Sequence, residues 1–440
     1  MLINFSVENY LSFRNAVTFS MLAANSVKEH TGCDGCEYKN TIEIPSIKAS
    51  LLKFASIYGA NGAGKSNLIK SLLDFKRAVL GSLQNDQIFE SMSRKVFQFD
   101  IESLSKPSAF EITFLANGDC YRYGFEILNG IVESEWLFKR PKDSSMESYC
   151  FTREKDKAKI NRIKFKGASS LVEKTRKNAL FLSTCAQFNV REAIIVKDWV
   201  KTKLSILSCS GEYPISFPSQ SEELSSIVSF IRSIDSNIKG ISVKESPIQI
   251  PSDIPDELKE FLEKLIDSNK KAGQKNVKIF SVHDRYQCGE KVGECEMPFD
   301  LESEGTRKLL SLSGPILSTL KGGGVLLIDE FGASLHTKLC IELVKLYQLA
   351  RNNTAQMIVS THDTNLLNKD LLRRDQIWFA EKDSYGITDL YSLVEYKINQ
   401  ATSVRNDASY SKNYLLGRYG AIPYFGDIDK FYSDFLKDEQ

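Results

Sequence analysis

The sequence lacks any long hydrophobic run. Its longest apolar stretches, such as residues 325–328, fall far short of the ~20 residues that a membrane helix needs, and the opening MLINFSVENY alternates instead of forming a signal-peptide block. An excess of charge is also missing: 57 Lys+Arg against 56 Asp+Glu leave a net charge of +1, so no overall field draws the chain to nucleic acid. These absences predict a cytoplasmic protein that does not associate with membranes.

A disulfide or zinc framework is equally hard to find. The 9 Cys show no repeated spacing, which fits reduced thiols in the cytosol. Cys33 and Cys36 flank an Asp-Gly pair, but a structural zinc usually needs a second such pair, and Cys288 and Cys295 are too widely spaced to supply it. We therefore expect an Asp-Gly turn at this position. Internal repeats and sustained heptads are also missing, which argues against a coiled-coil arm.

The composition is that of a globular chain of two or three lobes, with 42% hydrophobic and 26% charged residues among 440. Alternating runs separated by Asn-Gly pairs predict a β meander after the first helix, and the apolar runs VLLIDE, QMIVSTH and QIWFAEK predict a buried parallel sheet. We predict four parts: an N-terminal part of the α/β fold (1–177), a helical insertion (178–276), a C-terminal part (277–396) and a tail packed on them (397–440).

The strongest functional motif is GANGAGKS at residues 59–66, which fits G-x-x-x-x-G-K-[ST] and lies between an apolar strand and a helix. In such loops backbone amides curl around a triphosphate, the Lys contacts the β and γ phosphates, and the Ser hydroxyl binds Mg²⁺. The predicted nucleotide-binding residues are Gly59, Ala60, Asn61, Gly62, Ala63, Gly64, Lys65, Ser66 and Asn67. The predicted cofactors are ATP and Mg²⁺, with Ser66 as one metal ligand.

Acidic residues end a second buried strand, where a ligand crevice opens in α/β sheets. Asp329 is the second predicted Mg²⁺ ligand, and Glu330 is the predicted catalytic base that activates the attacking water. His362 ends a further apolar strand and is predicted to sense the γ phosphate. An ordinary strand end and a structural His are the alternatives, and the neighbouring glycine loop favours the functional interpretation.

Taken in order, these motifs resemble the ABC-type ATPase head of SMC-like and RecF-like proteins. The segment ESEGTR at 302–307 then resembles the signature helix, although it departs from the LSGGQ form of transporters. The resemblance implies that Ser303 and Gly305 contact the γ phosphate held by Lys65 of a second chain, in a head-to-tail homodimer or a higher multiple of it. It also implies a slow, dimerisation-dependent ATPase. Gln98, in VFQFD, stands roughly where that class has a Mg²⁺-sensing Gln, and a surface residue is the alternative.

A closer resemblance covers nearly the whole chain. MLINFSVENYLSF, IYGANGAGKSNLIKSL, NALFLSTCAQFN, ESEGTRKLL and YLLGRYGAIP look like the abortive-infection-linked family of bacterial ABC-like ATPases, with relatives in the PARIS, Septu and retron-associated phage-defence systems. The resemblance implies an antiviral or toxin-antitoxin role, in which the ATPase acts as a sensor controlling a separately encoded effector. A TOPRIM-like or HNH-type nuclease is the expected effector, and DNA or a phage component is a possible trigger.

Two other interpretations stay open. An SMC/RecF-like clamp would close on DNA in repair or maintenance, and the basic residues between 153 and 166 could track a phosphate backbone or form a solvated surface. A nucleotide-dependent scaffold would bind ATP and hydrolyse almost none. An intrinsic nuclease is disfavoured, because the acids after His362 do not form a TOPRIM pattern.

Overall fold

The computed structural model describes residues 1–27, 38–207, 221–235, 237–245, 277–349, 354–398, 402–403 and 409–423. The chain divides into two compact units: unit 1 is Met1–Glu212 with Ser318–Gln440, and unit 2 is Tyr213–Leu317. The Cys33/Cys36 pair, whose turn was predicted from sequence, lies outside the described residues.

The described elements are mixed α and β. The strands are β1 (Leu2–Glu8), β2 (Val17–Ser20), β3 (Thr41–Ile44), β4 (Ala49–Leu52), β5 (Phe54–Tyr58), β6 (Ser108–Ala116), β7 (Asp119–Leu128), β8 (Ile131–Arg140), β9 (Ser148–Glu154), β10 (Lys157–Ile160), β11 (Leu204–Leu207), β12 (Gly240–Glu245), β13 (Val277–Gln287), β14 (Glu290–Pro298), β15 (Gly324–Ile328), β16 (Ala355–Ser360), β17 (Ile377–Lys382), β18 (Thr388–Ser392), β19 (Lys397–Ile398) and β20 (Thr402–Ser403). The helices are α1 (Lys65–Gly81), α2 (Ile88–Ser93), α3 (Phe181–Gln187), α4 (Arg191–Thr202), α5 (Ser221–Ile234), α6 (Glu304–Gly322), α7 (Thr337–Gln348) and α8 (Tyr410–Leu415).

A six-stranded sheet in unit 1 carries the predicted motifs. Its order is β11-β15-β16-β5-β17-β18, and all neighbours are parallel except β17 and β18. Every residue of β5, β15 and β16 is buried, which is why these strands are continuous apolar runs rather than alternating ones. The predicted fold class, an α/β P-loop ATPase head with a β meander, is confirmed, and the longest described helix, α6, has only 19 residues.

A seven-stranded antiparallel sheet in unit 1 contains the predicted meander. Its order is β10-β9-β8-β7-β6-β1-β2. The β6–β7 turn has Asn117 and Gly118 at φ 54° and 85°, and the β7–β8 turn has Asn129 and Gly130 at 51° and 78°. Positive φ at both central residues is what two-residue hairpin turns need, and Asn-Gly supplies it at the lowest steric cost.

A buried acid ties this antiparallel sheet to α3. The Glu135 carboxylate, fully buried on β8, accepts the amide hydrogens of Phe181 and Leu182 at 2.7 and 2.8 Å. It also pairs with Arg153 at 3.4 Å and accepts the Tyr123 hydroxyl at 3.0 Å. Leu180, which precedes α3, has no side-chain cap, so Glu135 satisfies the first amides of the helix from a distant strand.

Unit 2 does not match the predicted helical insertion. Its described elements are α5, the antiparallel sheet β12-β13-β14 and the first part of α6. Residues 178–207 belong instead to unit 1, because β11 pairs in parallel with β15 and α4 packs Trp199 against Phe114 at 4.1 Å between ring centroids. A four-residue strand and a six-residue strand, within a polar and otherwise helical stretch, gave too short a pattern to be recognised in the sequence.

The described end of the chain packs on the six-stranded sheet of unit 1. Tyr414 of α8 lies 5.8 Å from the ring of Tyr58 and 5.4 Å from that of Phe379. Tyr391 donates its hydroxyl to the carbonyl of Tyr419 at 2.7 Å. Aromatic side chains near this end therefore cover β5, β17 and β18.

Candidate functional site

Three parallel strands bring the predicted motifs to one edge of the sheet. The glycine loop follows β5, Asp329 and Glu330 follow β15, and His362 lies two residues beyond β16. Because β16 pairs with both β5 and β15 in parallel, the carboxyl ends of all three strands lie on the same side, where ligands of open α/β sheets bind.

The loop between β5 and α1 depends on glycine for its backbone conformation. Gly59, Gly62 and Gly64 have φ of 153°, 76° and 109°. A Cβ on Gly59 would lie 2.3 Å from the carbonyl oxygen of Ala380, whereas a Cβ on Gly62 would meet nothing within 4 Å. The loop is thus packed at its base and open at its exposed tip, where a phosphate can approach the backbone.

Gly59→Ala is expected to misplace the loop and reduce nucleotide affinity at least about tenfold, because the new methyl collides with backbone that cannot give way. Binding of a fluorescent ATP analogue measures the loss. Gly293→Ala, where an added Cβ has open space, is the matched control. Unchanged affinity in Gly59→Ala would show that the loop can shift without harm.

Lys65, the first residue of α1, is buried and bonded to its own loop. Its Nζ donates to the carbonyl oxygens of Gly59 and Ala60 at 2.7 and 2.9 Å. Burial lowers the pKa of Lys65 to about 8, while Asp329 and Glu330 act in the opposite direction. The Lys65 ammonium group therefore bonds to the loop carbonyls, and the negative charge of the two acids favours its protonated form.

Stability should rise with pH through the titration of Lys65. Its pKa is about 8 in the folded chain and near 10.5 in the unfolded one, so between these values the unfolded chain binds more protons. Relative to Lys65→Met, the unfolding free energy of the wild type should increase by about 1–3 kcal/mol from pH 7.5 to 10. Denaturant unfolding at both pH values checks this, and a constant difference between the two proteins would contradict it.

The two acids after β15 differ in their surroundings. Asp329 is buried, and its Oδ1 accepts the hydroxyl of Ser66 at 3.0 Å and that of Ser360. Glu330 is exposed and has φ 52°, an uncommon conformation for a non-glycine residue. Asp329 thus lies in contact with the loop serine, while the Glu330 side chain is accessible to a substrate.

The donor set formed by Ser66 and Asp329 fits Mg²⁺. A hydroxyl oxygen and a carboxylate oxygen already lie 3.0 Å apart, and this cation takes few protein ligands because waters and substrate phosphates complete its shell. The described residues contain no group of three or more His, Cys, Asp or Glu side chains that could hold a metal by themselves. This pair is the sort of incomplete site that a nucleotide-bound Mg²⁺ uses.

His362 is exposed beside these groups. Partial burial lowers its pKa, the Lys65 cation lowers it further, and Glu330 and Asp329 act in the opposite direction. A lowered pKa keeps the imidazole neutral near pH 7, so that one ring nitrogen can accept a hydrogen bond and the other can donate one. The structure thus brings together Lys65, Ser66, Asp329, Glu330 and His362.

Sequence reasoning missed Ser360, which holds the turn after β15. Its hydroxyl donates to Asp329 and accepts the amide of Glu330 at 2.8 Å, and its carbonyl accepts the amide of Phe331 at 2.8 Å. These three contacts fix the strained turn that carries both acids. Ser360 precedes Thr-His in an apolar run, and a polar residue at a buried strand end was the available signal.

Sequence reasoning also missed Thr388 and Ser12, which form hydrogen bonds to the glycine loop and to α1. Thr388 donates its hydroxyl to the Ala63 carbonyl at 2.9 Å and is bonded to the Ser12 hydroxyl at 2.7 Å. Asn67, a predicted nucleotide contact, donates its side-chain amide to the same Ser12 oxygen at 2.8 Å. These residues come from three distant parts of the chain, so no local motif predicts them.

The other predicted site residues are Gln98, Ser303 and Gly305. Gln98 is exposed, and its amide donates to the Val96 carbonyl of its own segment at 2.8 Å. Ser303 and Gly305 belong to unit 2, where the Ser303 hydroxyl accepts the Thr306 amide at 3.1 Å and caps α6. The assigned roles of Gln98, Ser303 and Gly305 stay predictions.

The basic segment contributes less surface charge than its sequence suggests. Arg153 is buried against Glu135 and the carbonyl of Ala179. The exposed cations of this segment are Lys155, Lys157, Lys159, Arg162, Lys164 and Lys166. Lys155 pairs with Glu133 at 3.1 Å, so five of the six remain as a basic edge around β10.

Fold and site together define a P-loop nucleoside-triphosphate-binding protein of the ATPase class. Residues 54–183 and 221–368, more than half of the chain, match the family described as "AAA domain, putative AbiEii toxin, Type IV TA system". The chain belongs to this family. No curated protein matches it.

Weaker likenesses exist to solved structures. The SmcHead bound to the C-winged helix domain of ScpA is 13% identical, with 91% of this chain and 99% of that chain covered and a TM-score of 0.43. The SMC head domain from Thermotoga maritima is 11% identical, covering 89% and 98%, with a TM-score of 0.38. Among the described helices, none is both long and apolar enough to cross a bilayer.

Proposed function

We propose that this protein hydrolyses ATP slowly, with Mg²⁺, in a site completed by a second copy of the chain. The observation that carries the proposal is the contact of Ser66 with Asp329 at 3.0 Å beside the buried Lys65. A buried lysine, a serine hydroxyl and two carboxylates thus lie beside one glycine loop, which is the set of groups that the proposal requires. Bound Mg²⁺ would neutralise phosphate charge next to Ser66 and Asp329.

Each residue of the site has its own role in the proposed hydrolysis. Lys65 and the loop amides would bind the triphosphate and stabilise the charge that develops on it. Glu330 would accept a proton from the attacking water, and His362, neutral at pH 7, would hydrogen-bond the γ phosphate. Ser303 and Gly305 of a second chain would contact the same phosphate, so that hydrolysis depends on a head-to-tail dimer.

Phosphate release and molecular mass, measured with and without ATP and Mg²⁺, test this proposal. We expect slow release that requires Mg²⁺ and is lost in Lys65→Met, together with an ATP-dependent shift from monomer to dimer or to a multiple of it. A monomer that hydrolyses ATP at the same rate at every protein concentration would remove the role of Ser303 in a second site.

We further propose that this ATPase is the sensor of a cytoplasmic abortive-infection system and controls a separately encoded effector, such as a nuclease. Membership of a family described by the AbiEii toxin supports this role. The test is phage plating on cells that carry the chain with its neighbouring gene. Protection lost in Lys65→Met supports the proposal, whereas protection without a functional ATP site contradicts it.

A DNA clamp is the second candidate, and the basic edge around β10 favours it. Five exposed cations lie within residues 157–166, and such sets bind phosphate backbones in a salt-sensitive manner. Retention of DNA that requires ATP, weakens as salt rises and falls in a Lys157→Glu/Lys159→Glu variant would support the clamp. Equal retention by that variant would contradict it.

A further inference from the structure

A glutamate that is hydrogen-bonded to a histidine lies directly before the predicted signature turn in unit 2. The Glu302 carboxylate, whose side chain is only 10% exposed, lies 2.6 Å from Nε2 of His283 on β13. Because an ionised carboxylate can only accept, Nε2 carries the hydrogen in this contact. The Ser281 hydroxyl, which donates to the Met297 carbonyl, lies 3.1 Å from the same nitrogen.

The backbone around Glu302 is fixed at the same point. Its amide donates to the carbonyl of Phe299 at 3.2 Å, and the Phe299 ring is buried in the cluster of unit 2 with Ile231 and Leu310. The next residue, Ser303, is exposed and caps α6. The contact between His283 and Glu302 therefore lies one residue before Ser303, whose side chain is proposed to contact the γ phosphate of a second chain.

The turn at Ser303 is acidic, so the position of the Glu302 carboxylate affects the charge that a bound triphosphate meets. Asp300, Glu302 and Glu304 lie within five residues, and Asp300 and Glu304 are exposed. A triphosphate that approaches Ser303 meets this acidic surface, and like charges brought together in an interface oppose association. The Glu302 carboxylate, by contrast, is turned into the unit, where it accepts a hydrogen bond from Nε2 of His283.

We infer that His283 is a positioning residue, which holds the Glu302 carboxylate inside unit 2 and away from the triphosphate that the turn at Ser303 receives from a second chain. The inference rests on the proposed composite site. Loss of the imidazole would free the carboxylate, which would add a negative charge beside the γ phosphate and loosen the turn that presents Ser303. A single chain would bind ATP as before.

The experiment compares His283→Ala, His283→Gln and the double variant His283→Ala/Glu302→Gln in the full chain. In His283→Ala we expect kcat for phosphate release and the ATP-dependent dimer fraction to fall at least about tenfold, because a like charge brought into an interface opposes association. Binding of a fluorescent ATP analogue to the monomer should stay the same. His283→Gln keeps a donor, and the double variant removes the charge, so both should recover most of the rate.

Lys291→Ala is the matched control. It breaks the 2.6 Å pair with Asp284, the next residue of β13 on the opposite face of the sheet. Wild-type kcat in this control shows that disturbing the hairpin is not enough to slow the enzyme. If the control is as slow as His283→Ala, or if the double variant remains slow, His283 only stabilises unit 2 and the inference is overturned.

The outcome for the wild type separates the two proposals. A wild type that hydrolyses ATP without any ATP-dependent association overturns the composite site and this inference with it. A wild type that associates as expected, with His283→Ala equal to it in kcat and dimer fraction, overturns the role of His283 alone.

Discussion

Glu330→Gln should reduce ATP hydrolysis at least about 100-fold while leaving ATP binding intact. The amide has nearly the shape of the carboxylate but cannot take a proton from water, so the chemical step loses its base. The fold should tolerate the change, because the side chain is exposed and the turn is held through its backbone by Ser360. Single-turnover phosphate release measures the effect.

The same variant should trap the associated state. If hydrolysis is what separates two chains, ATP and Mg²⁺ should hold Glu330→Gln as a dimer for much longer than the wild type, and light scattering would follow this. Glu342→Gln is the control, because it removes a carboxylate that pairs with Lys345 on the exposed face of α7. A Glu330→Gln protein that releases phosphate at the wild-type rate would show that another group activates the water.

Glu135→Ala should cost about 3–5 kcal/mol of unfolding free energy, the range measured when one partner of a buried pair is removed. Arg153, only 3% exposed, would lose its carboxylate, and the first amides of α3 would lose their acceptor. Burial raises the pKa of Glu135, while Arg153 and the Leu182 and Phe181 amides lower it. The carboxylate is therefore held by several donors at once.

Denaturant unfolding measures this loss. Glu154→Ala, an exposed acid at the end of β9, should stay within about 0.5 kcal/mol of the wild type. Glu135→Gln should fall between the two, because one amide oxygen can still accept from α3 while the NH₂ group faces other donors. A Glu135→Ala protein as stable as the control would mean that water replaces the carboxylate.

Most of the site could be predicted from the sequence, because its functional residues lie in recognisable local motifs. The glycine loop, Asp329 with Glu330, and His362 each follow a buried apolar strand, and parallel strands bring such positions together whatever their separation along the chain. Ser360, Ser12 and Thr388 could not be predicted in the same way. They act through contacts between residues far apart in sequence, and a serine or threonine at a strand end or turn is common in any protein.

In the fold, too, features set by local sequence were predictable and features set by contacts between distant residues were not. Asn-Gly pairs fixed the hairpins locally, because few other residues adopt positive φ at both positions. The short strands β11 and β12 were not predicted, because four to six residues carry too little periodicity. The boundaries of the insertion were misplaced for the same reason. Glu135 likewise gives no local signal, because its partners lie on α3 and β9.

The position of β5 in its sheet has a consequence for how the protein is made. This strand, which leads into the glycine loop, is hydrogen-bonded on one side to β16 and on the other to β17. Both neighbours are translated about 300 residues after β5, so β5 lacks its partner strands in this sheet until those residues have been synthesised. A ribosome-bound fragment that ends before β16 should fail to bind ATP. We therefore expect ATP binding to begin only after β16 and β17 have been synthesised, whatever the surrounding nucleotide concentration.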